Sequence, residues 1–385
     1  MDMRLAKISV IAAVAALLIG THVSGVSAQK LTFNPNGTVT LDQPVTVSAI
    51  DFKHAKPMPM PKADVGPSAE VAACVDFGTP GFEPGTVGNG KMDPQTVPRS
   101  IYTEDDEDRI EPAEYGTAGI PYTTSRVDLQ SAQNVSKLYP YRAVGKLYFN
   151  SGSDTYTCTA SLIKRGLIVT AAHCVASYGN KKYFSNWLFI PALYISTAPY
   201  GKWTGTGATI LTSYYSGADN CAQYGVVCPD DVAVIRLVAQ SGAFPGDSTG
   251  VFAYGYNGWG FTGGKTLINQ LGYPLSLDSG VMMQRTDSQG STSSGSSNNV
   301  TWGSRQTGGS SGGPALNNLG WPATFNGNTY GTAYGYNTVI GVTSWESSDP
   351  AQKRMGASPF TSSNIVKLVA TACAAGNGGT RPACQ

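Results

Sequence analysis

From about Tyr139 to its end, the chain is built of short apolar or alternating runs, each closed by Gly, Asn, Ser or Pro. The runs at 142–149, 166–170, 187–190, 232–237 and 338–345 have strand length and are rich in Val, Ile, Thr and aromatic residues. A chain punctuated this often has no room for long helices, and the pattern predicts an all-β sandwich or barrel. Composition agrees. With 46 Gly, 20 Tyr and 13% charged residues, the chain lacks the material of a bundle or coiled coil. Its 41% hydrophobic content and net charge of +1 exclude disorder throughout. One helix is expected near the end, capped by Ser362 or Ser363, with Ile365, Leu368, Val369 and Ala372 on one face and Gly376 as its stop. The Ser/Gly-rich stretch 288–299 reads as a mobile loop.

The beginning of the chain sets the compartment. Arg4 and Lys7 precede the apolar stretch 8–19, and Val26-Ser27-Ala28 offers the small residues of a signal-peptidase site. That stretch falls short of the roughly 20 residues that span a bilayer, so residues 1–28 read as an export signal and not an anchor. A secreted or periplasmic location follows, where cysteines are oxidised. The chain has 7 Cys, at 74, 158, 174, 221, 228, 373 and 384. Neighbours in sequence suggest pairs of 158 with 174, 221 with 228 and 373 with 384, among the fifteen or so pairings six cysteines allow. Cys74 is then left over.

Three motifs carry chemistry. In Leu167-Ile168-Val169-Thr170-Ala171-Ala172-His173-Cys174, an apolar strand ends at small residues that leave room around an imidazole. The other histidines are His22 and His54, both in segments expected to be removed, so His173 would be the one imidazole of the mature chain. In Asp230-Asp231-Val232-Ala233-Val234-Ile235-Arg236-Leu237, a carboxylate at the head of an apolar strand is placed to accept a histidine Nδ1 proton and fix its tautomer. Asp230 competes for that role, and Asp231 is preferred because it adjoins the apolar run. In Thr307-Gly308-Gly309-Ser310-Ser311-Gly312-Gly313-Pro314, glycines surround a serine, as a tight loop aiming backbone N–H groups at an oxyanion requires. Each motif alone is ambiguous. His, then Asp, then Ser, each in its own strand context, is specific as a set.

From about Val127 onward, the chain resembles the chymotrypsin-like (trypsin-fold) serine proteases. Residues 170–174 are similar to the family's TAAHC motif, 231–237 to its D-[IV]-A-x-[IL]-x-L motif, and 309–314 to G-D-S-G-G-P with Ser310 in place of the aspartate. Tyr139-Pro140-Tyr141-Arg142-Ala143-Val144 and Gly272-Tyr273-Pro274 are weakly similar to the bacterial glutamyl-endopeptidase branch. The resemblance implies two packed antiparallel six-stranded β-barrels with a C-terminal helix, a site in the cleft between them, and no cofactor. It implies His173 as general base, Asp231 as its orienter, Ser311 as nucleophile, and the N–H groups of Gly309 and Ser311 as oxyanion hole. Ser344-Trp345 lies where the family places the strand that pairs with substrate.

Two departures concern activation and specificity. Without an aspartate at Ser310, the pairing with a new N-terminal amine used by trypsin-like enzymes is lost. The glutamyl branch has a histidine where this chain has Thr343. Arg305, six residues before Ser311, and Glu346, after Trp345, are the charges expected at the primary pocket, with Arg305 favouring acidic or polar side chains. A surface position for Arg305 is the alternative. Gly258-Trp259-Gly260-Phe261-Thr262-Gly263 opens no helix and reads as a turn. Zinc is not expected, since the mature part has one histidine and its cysteines serve disulfides.

Residues 29–126 match nothing in that family and read as a propeptide, cut at Arg126-Val127 or at the rival Arg109-Ile110; a permanent N-terminal domain is the other reading. Either cut removes Cys74. The charge supports a zymogen: 8 Lys+Arg against 14 Asp+Glu in 29–126, but 16 against 10 from 127 onward. An acidic segment lying on a mildly basic enzyme is the expectation. The expected partners are protein or peptide substrates met by a monomer, with no nucleic acid and no membrane after signal removal. A catalytically silent trypsin fold acting as a binding or adhesive module is the alternative function.

Overall fold

The computed structural model describes residues 29–43, 50–63, 78–101, 116–130, 133–219, 230–293, 296–320 and 335–385. The signal sequence, Cys74, the Arg109-Ile110 bond and the Cys221/Cys228 pair lie outside the described residues. Twelve strands form two barrels. The first holds β1 (Val144–Ser151), β2 (Asp154–Lys164), β3 (Leu167–Thr170), β4 (Ser185–Pro191), β5 (Trp203–Leu211) and β6 (Ala233–Leu237). Their order β5-β4-β1-β2-β3-β6 closes because β5 also pairs with β6. The second holds β7 (Lys265–Gly272), β8 (Gln284–Ser293), β9 (Ser296–Gly303), β10 (Pro314–Asn317), β11 (Thr338–Ser347) and β12 (Arg354–Pro359). Their order β10-β7-β8-β9-β12-β11 closes through β10 and β11. Every pairing inside the two barrels is antiparallel. Closure removes free sheet edges, and the barrel interiors are filled by side chains such as Leu147, Leu162, Trp187 and Ile235 in the first and Ile268, Trp302 and Ile340 in the second.

Two expectations are corrected. Residues 288–293 and 296–299 are not a loop: they belong to the paired strands β8 and β9, with Gln289 opposite Leu267 and Thr292 opposite Val300. Ladder hydrogen bonds come from the backbone, so a Ser/Thr/Gly run between two well-formed strands is drawn into the sheet by its neighbours. The C-terminal helix α1 (Ile365–Cys373) buries the expected residues Ile365, Leu368, Val369 and Ala372, but its cap is Asn364 and it ends at Ala374, not Gly376. Asn364 suits the role because its amide also accepts from Thr361 N (2.8 Å) and donates to Pro359 O (2.9 Å), bonds that a serine there could not all make. The helix packs on β5 and β6. Among the described residues, no helix is long and apolar enough to cross a membrane.

The described parts of 29–126 lie on both barrels. Lys30–Asn34 and Thr38–Asp42 form a hairpin that extends the first barrel beside β5, and Tyr122–Arg126 pairs antiparallel with β8. Between them, Lys56–Pro57 pairs with β2 and Lys62–Ala63 with β11. Val127 is buried and donates its N–H to Met283 O (2.9 Å), while the Arg126 guanidinium meets the Asp278 carboxylate. Two disulfides appear as expected, Cys158–Cys174 and Cys373–Cys384. The first ties β2 to the turn that carries His173.

Lys146, on β1, bridges the barrels: buried, it donates from Nζ to Gly280 O at 2.7 Å, and burial pushes its pKa down to about 7. In the unfolded chain a lysine titrates near 10.4, so between about pH 7 and pH 10 the unfolded state binds the extra proton and stability rises with pH. We expect the urea midpoint to climb over that interval in the wild type and to flatten in Lys146→Met. An equal slope in both proteins would mean that Lys146 is not held neutral.

Candidate active site

Thr170 at the end of β3 sits opposite Ala233 at the start of β6, so the residues after one and before the other meet at the same end of the first barrel. His173 follows in a short 3₁₀ turn of residues 172–174 and is 5% exposed. Asp231 is fully buried. It accepts three hydrogen bonds: from the His173 backbone N–H (2.8 Å), from His173 Nδ1 (2.8 Å) and from Ser344 Oγ (2.5 Å). Burying a carboxylate is costly unless its lone pairs are satisfied, and these three donors do so. Asp230 turns the other way and bonds to Ser213, with burial pushing its carboxyl above the usual range. Of the two candidates, Asp231 is therefore the one joined to the imidazole.

Ser311 lies in the loop before β10. Gly309 (φ +98°) and Gly312 (φ +76°) take backbone conformations that disfavour any side chain. Space excludes one as well: a Cβ on Gly309 would stand 2.5 Å from Tyr273 O, and one on Gly312 would stand 1.9 Å from Thr170 Oγ1 and 2.8 Å from Ala171 N. The loop is thus pressed against the segment leading to His173. Thr159 holds it from the other side, donating N–H to Ser311 O and Oγ1 to Gly309 O, each at 2.8 Å. Among the described residues, the N–H groups of Gly309 and Ser311 donate to nothing, and Ser311 Oγ and His173 Nε2 are buried without a hydrogen-bond partner. Ser310, at the departure from the family motif, is buried and donates Oγ to Thr307 O (2.6 Å), closing the turn internally.

Arg305 and Glu346 line one cavity of about 470 Å³, together with Met58, Met60, Lys62 and Met355. Burial pushes the Glu346 carboxyl up, opposed by Lys62, whose Nζ stands 3.5 Å away. Trp345 is fully buried, with its indole lying where a Cβ on Gly356 would fall, so its contribution to the cleft is main chain. Ser344 contributes its hydroxyl to Asp231, a role that no sequence motif signalled. Two further residues were missed. Gln270 is buried behind Ser304 of the cavity lining, donating to Thr343 Oγ1 (3.2 Å) and accepting from Trp302 Nε1 (3.1 Å) and Ser304 Oγ (2.7 Å). Arg354, buried at the start of β12, lines the same cavity as Arg305, and burial lowers its pKa. Both stand in ordinary strand sequence, where nothing marks them out.

Among the described residues, one group of three or more His, Cys, Asp or Glu side chains lies close enough together to hold a metal. It comprises Cys158, His173 and Cys174, but its two sulfurs are joined in a disulfide (S–S 2.00 Å).

A family model described as "Trypsin" matches residues 131–367. Among solved structures, the protease Anisep from Arthrobacter nicotinovorans is similar at 24% identity and a TM-score of 0.48, covering 61% of this chain and 96% of that one. A Glu endopeptidase is similar at 20% identity and a TM-score of 0.45, covering 67% of this chain and 97% of that one. Over 91 residues the chain is 32% identical to an extracellular metalloprotease of Bacillus subtilis (strain 168), covering 23% of this chain and 29% of that relative. This chain thus matches less than a third of that relative's length. With a family match that takes in more than half of its residues, over two six-stranded barrels, the chain belongs to the trypsin family of serine proteases.

Proposed function

We propose that the protein is an exported serine endopeptidase that hydrolyses peptide bonds through Ser311, His173 and Asp231 and is made as a zymogen. The observation that carries this reading is the buried Asp231 carboxylate on His173 Nδ1, which fixes the imidazole so that Nε2 is the nitrogen left for proton transfer. Ser311 Oγ attacks the substrate carbonyl carbon while its proton passes to His173 Nε2. The carbonyl oxygen becomes an oxyanion received by the N–H groups of Gly309 and Ser311. The imidazolium then protonates the leaving amine, and an ester to Ser311 remains. Water, deprotonated by His173, attacks that ester and restores the enzyme. Arg305, with Arg354 lining the same cavity, supports a preference for acidic or polar side chains before the scissile bond.

The processed protein is expected to take one fluorophosphonate per chain, and Ser311→Ala to take none. Labelling that survives Ser311→Ala, or none in the processed wild type, contradicts the assignment and favours a silent binding module. Asp231→Asn should fold normally and lose about 10⁴ in kcat, because the tautomer is then wrong. Cleavage of a peptide library should favour Asp, Glu or polar residues before the cut; a strong Lys/Arg or bulky aromatic preference contradicts the Arg305 reading. N-terminal sequencing of the secreted active form should start at Val127 or Ile110, and a start near Gln29 contradicts a removed propeptide.

A further inference from the structure

Residues 56–63, Lys-Pro-Met-Pro-Met-Pro-Lys-Ala, cross the cleft from one barrel to the other. They start on the first barrel. Lys56 and Pro57 run parallel to Tyr156 and Thr157 of β2, and Met58 N donates to Thr157 O (2.9 Å). Pro57 and Met58 then pass over the loop of Ser311: a Cβ on Gly308 would stand 3.3 Å from Pro57 Cβ and 3.5 Å from Met58 O. Met60 is 5% exposed and belongs to the apolar cluster of Trp302, Met355 and Ala357 in the second barrel. The segment ends on β11. Glu346 N donates to Pro61 O (3.0 Å), Lys62 and Ala63 run parallel to Glu346 and Ser347, and Ser348 N donates to Ala63 O (2.9 Å).

We propose that this strap is a built-in inhibitor that binds the cleft backwards and therefore blocks it without being cut. The inference rests on the proposed roles of Ser311 and His173, and the direction follows from that chemistry. A substrate's acyl half must keep its carbonyl oxygen at Gly309 and Ser311, in the second barrel, and extends from there along the β11 edge. Its amine must leave past His173, in the first barrel. A productive peptide thus runs from the second barrel to the first, antiparallel to β11, whereas the strap runs from the first to the second, parallel to it. Its amides meet the site with carbonyl and nitrogen exchanged, so none presents carbon to Ser311 with its nitrogen toward His173. The prolines at 57, 59 and 61 remove every second N–H and hold the chain extended. Its ligand class is accordingly a proline-alternating peptide with methionine in the pocket beside Met355.

The test uses the uncut full chain, its length verified by intact mass, with a fluorophosphonate as probe. Met60→Gly removes the side chain that fills the apolar cluster, and Lys62→Glu sets like charges at Glu346; each should label at least about tenfold faster than the wild-type chain of equal length. Lys62→Glu, at an exposed position, carries the test if Met60→Gly does not fold. Wild-type chain that labels as fast as the variants, with the label lost in Ser311→Ala, overturns the strap and leaves the triad standing. No Ser311-dependent label in any form, processed protein included, overturns the triad and the strap with it. Peptide mapping tests the polarity. Bonds within 56–63 should survive incubation, and a cut there that disappears in Ser311→Ala overturns backward binding.

Discussion

The arrangement depends on one buried carboxylate. Asp231 stands at full burial with donors from two barrels upon it: the backbone and ring of His173 from the first, the hydroxyl of Ser344 from the second. A carboxylate with fewer donors would either take up a proton or pull water into the core. The three bonds therefore fix more than one side chain. They set the histidine tautomer, the position of the 172–174 turn and the seat of β11 against the first barrel. The disulfide from Cys158 to Cys174 and the hydrogen bonds of Thr159 hold the same region from the β2 side. The Gly312 backbone, which has no room for a Cβ beside Thr170, closes the group around Ser311.

The residues legible in the sequence were those whose chemistry is local. His173 with its small neighbours, Asp231 at the head of an apolar strand and Ser311 among glycines each bring their surroundings with them within eight residues or so. The strand runs were legible for the same reason, since alternation is a property of a short window. Helix α1 was legible in its buried face but not in its cap, because Asn364 gains its place from bonds to Thr361 and Pro359 that no window pattern encodes. The stretch 288–299 failed for a related reason. Its own composition favours a loop, and the strand state of residues 288–291 comes from partners on β7. Gln270 and Arg354 act through contacts far along the chain and left no trace.

Most carboxylates of the N-terminal segment, the run 104–108 among them, lie outside the described residues. Of its described charges, Asp42 and Glu83 meet Arg236 and Lys164, while Lys56 and Lys62 at the two ends of the strap face Asp154 and Glu346. What seats the strap is methionine burial and backbone pairing with two strands that belong to different barrels. Such pairing is invisible in a linear reading, because a parallel bridge of two residues carries no sequence signature of its own.

On the proposed reading, Asp231 holds the Nδ1 proton of His173 so that Nε2 serves Ser311. Proton NMR of the processed enzyme, which contains no other histidine if the N-terminal segment is removed, reads this directly. One ring N–H resonance should lie far downfield through its bond to the carboxylate, be assigned to Nδ1 by nitrogen labelling, and be lost in Asp231→Asn. A ring proton found on Nε2, or a downfield resonance that persists in Asp231→Asn, would contradict it.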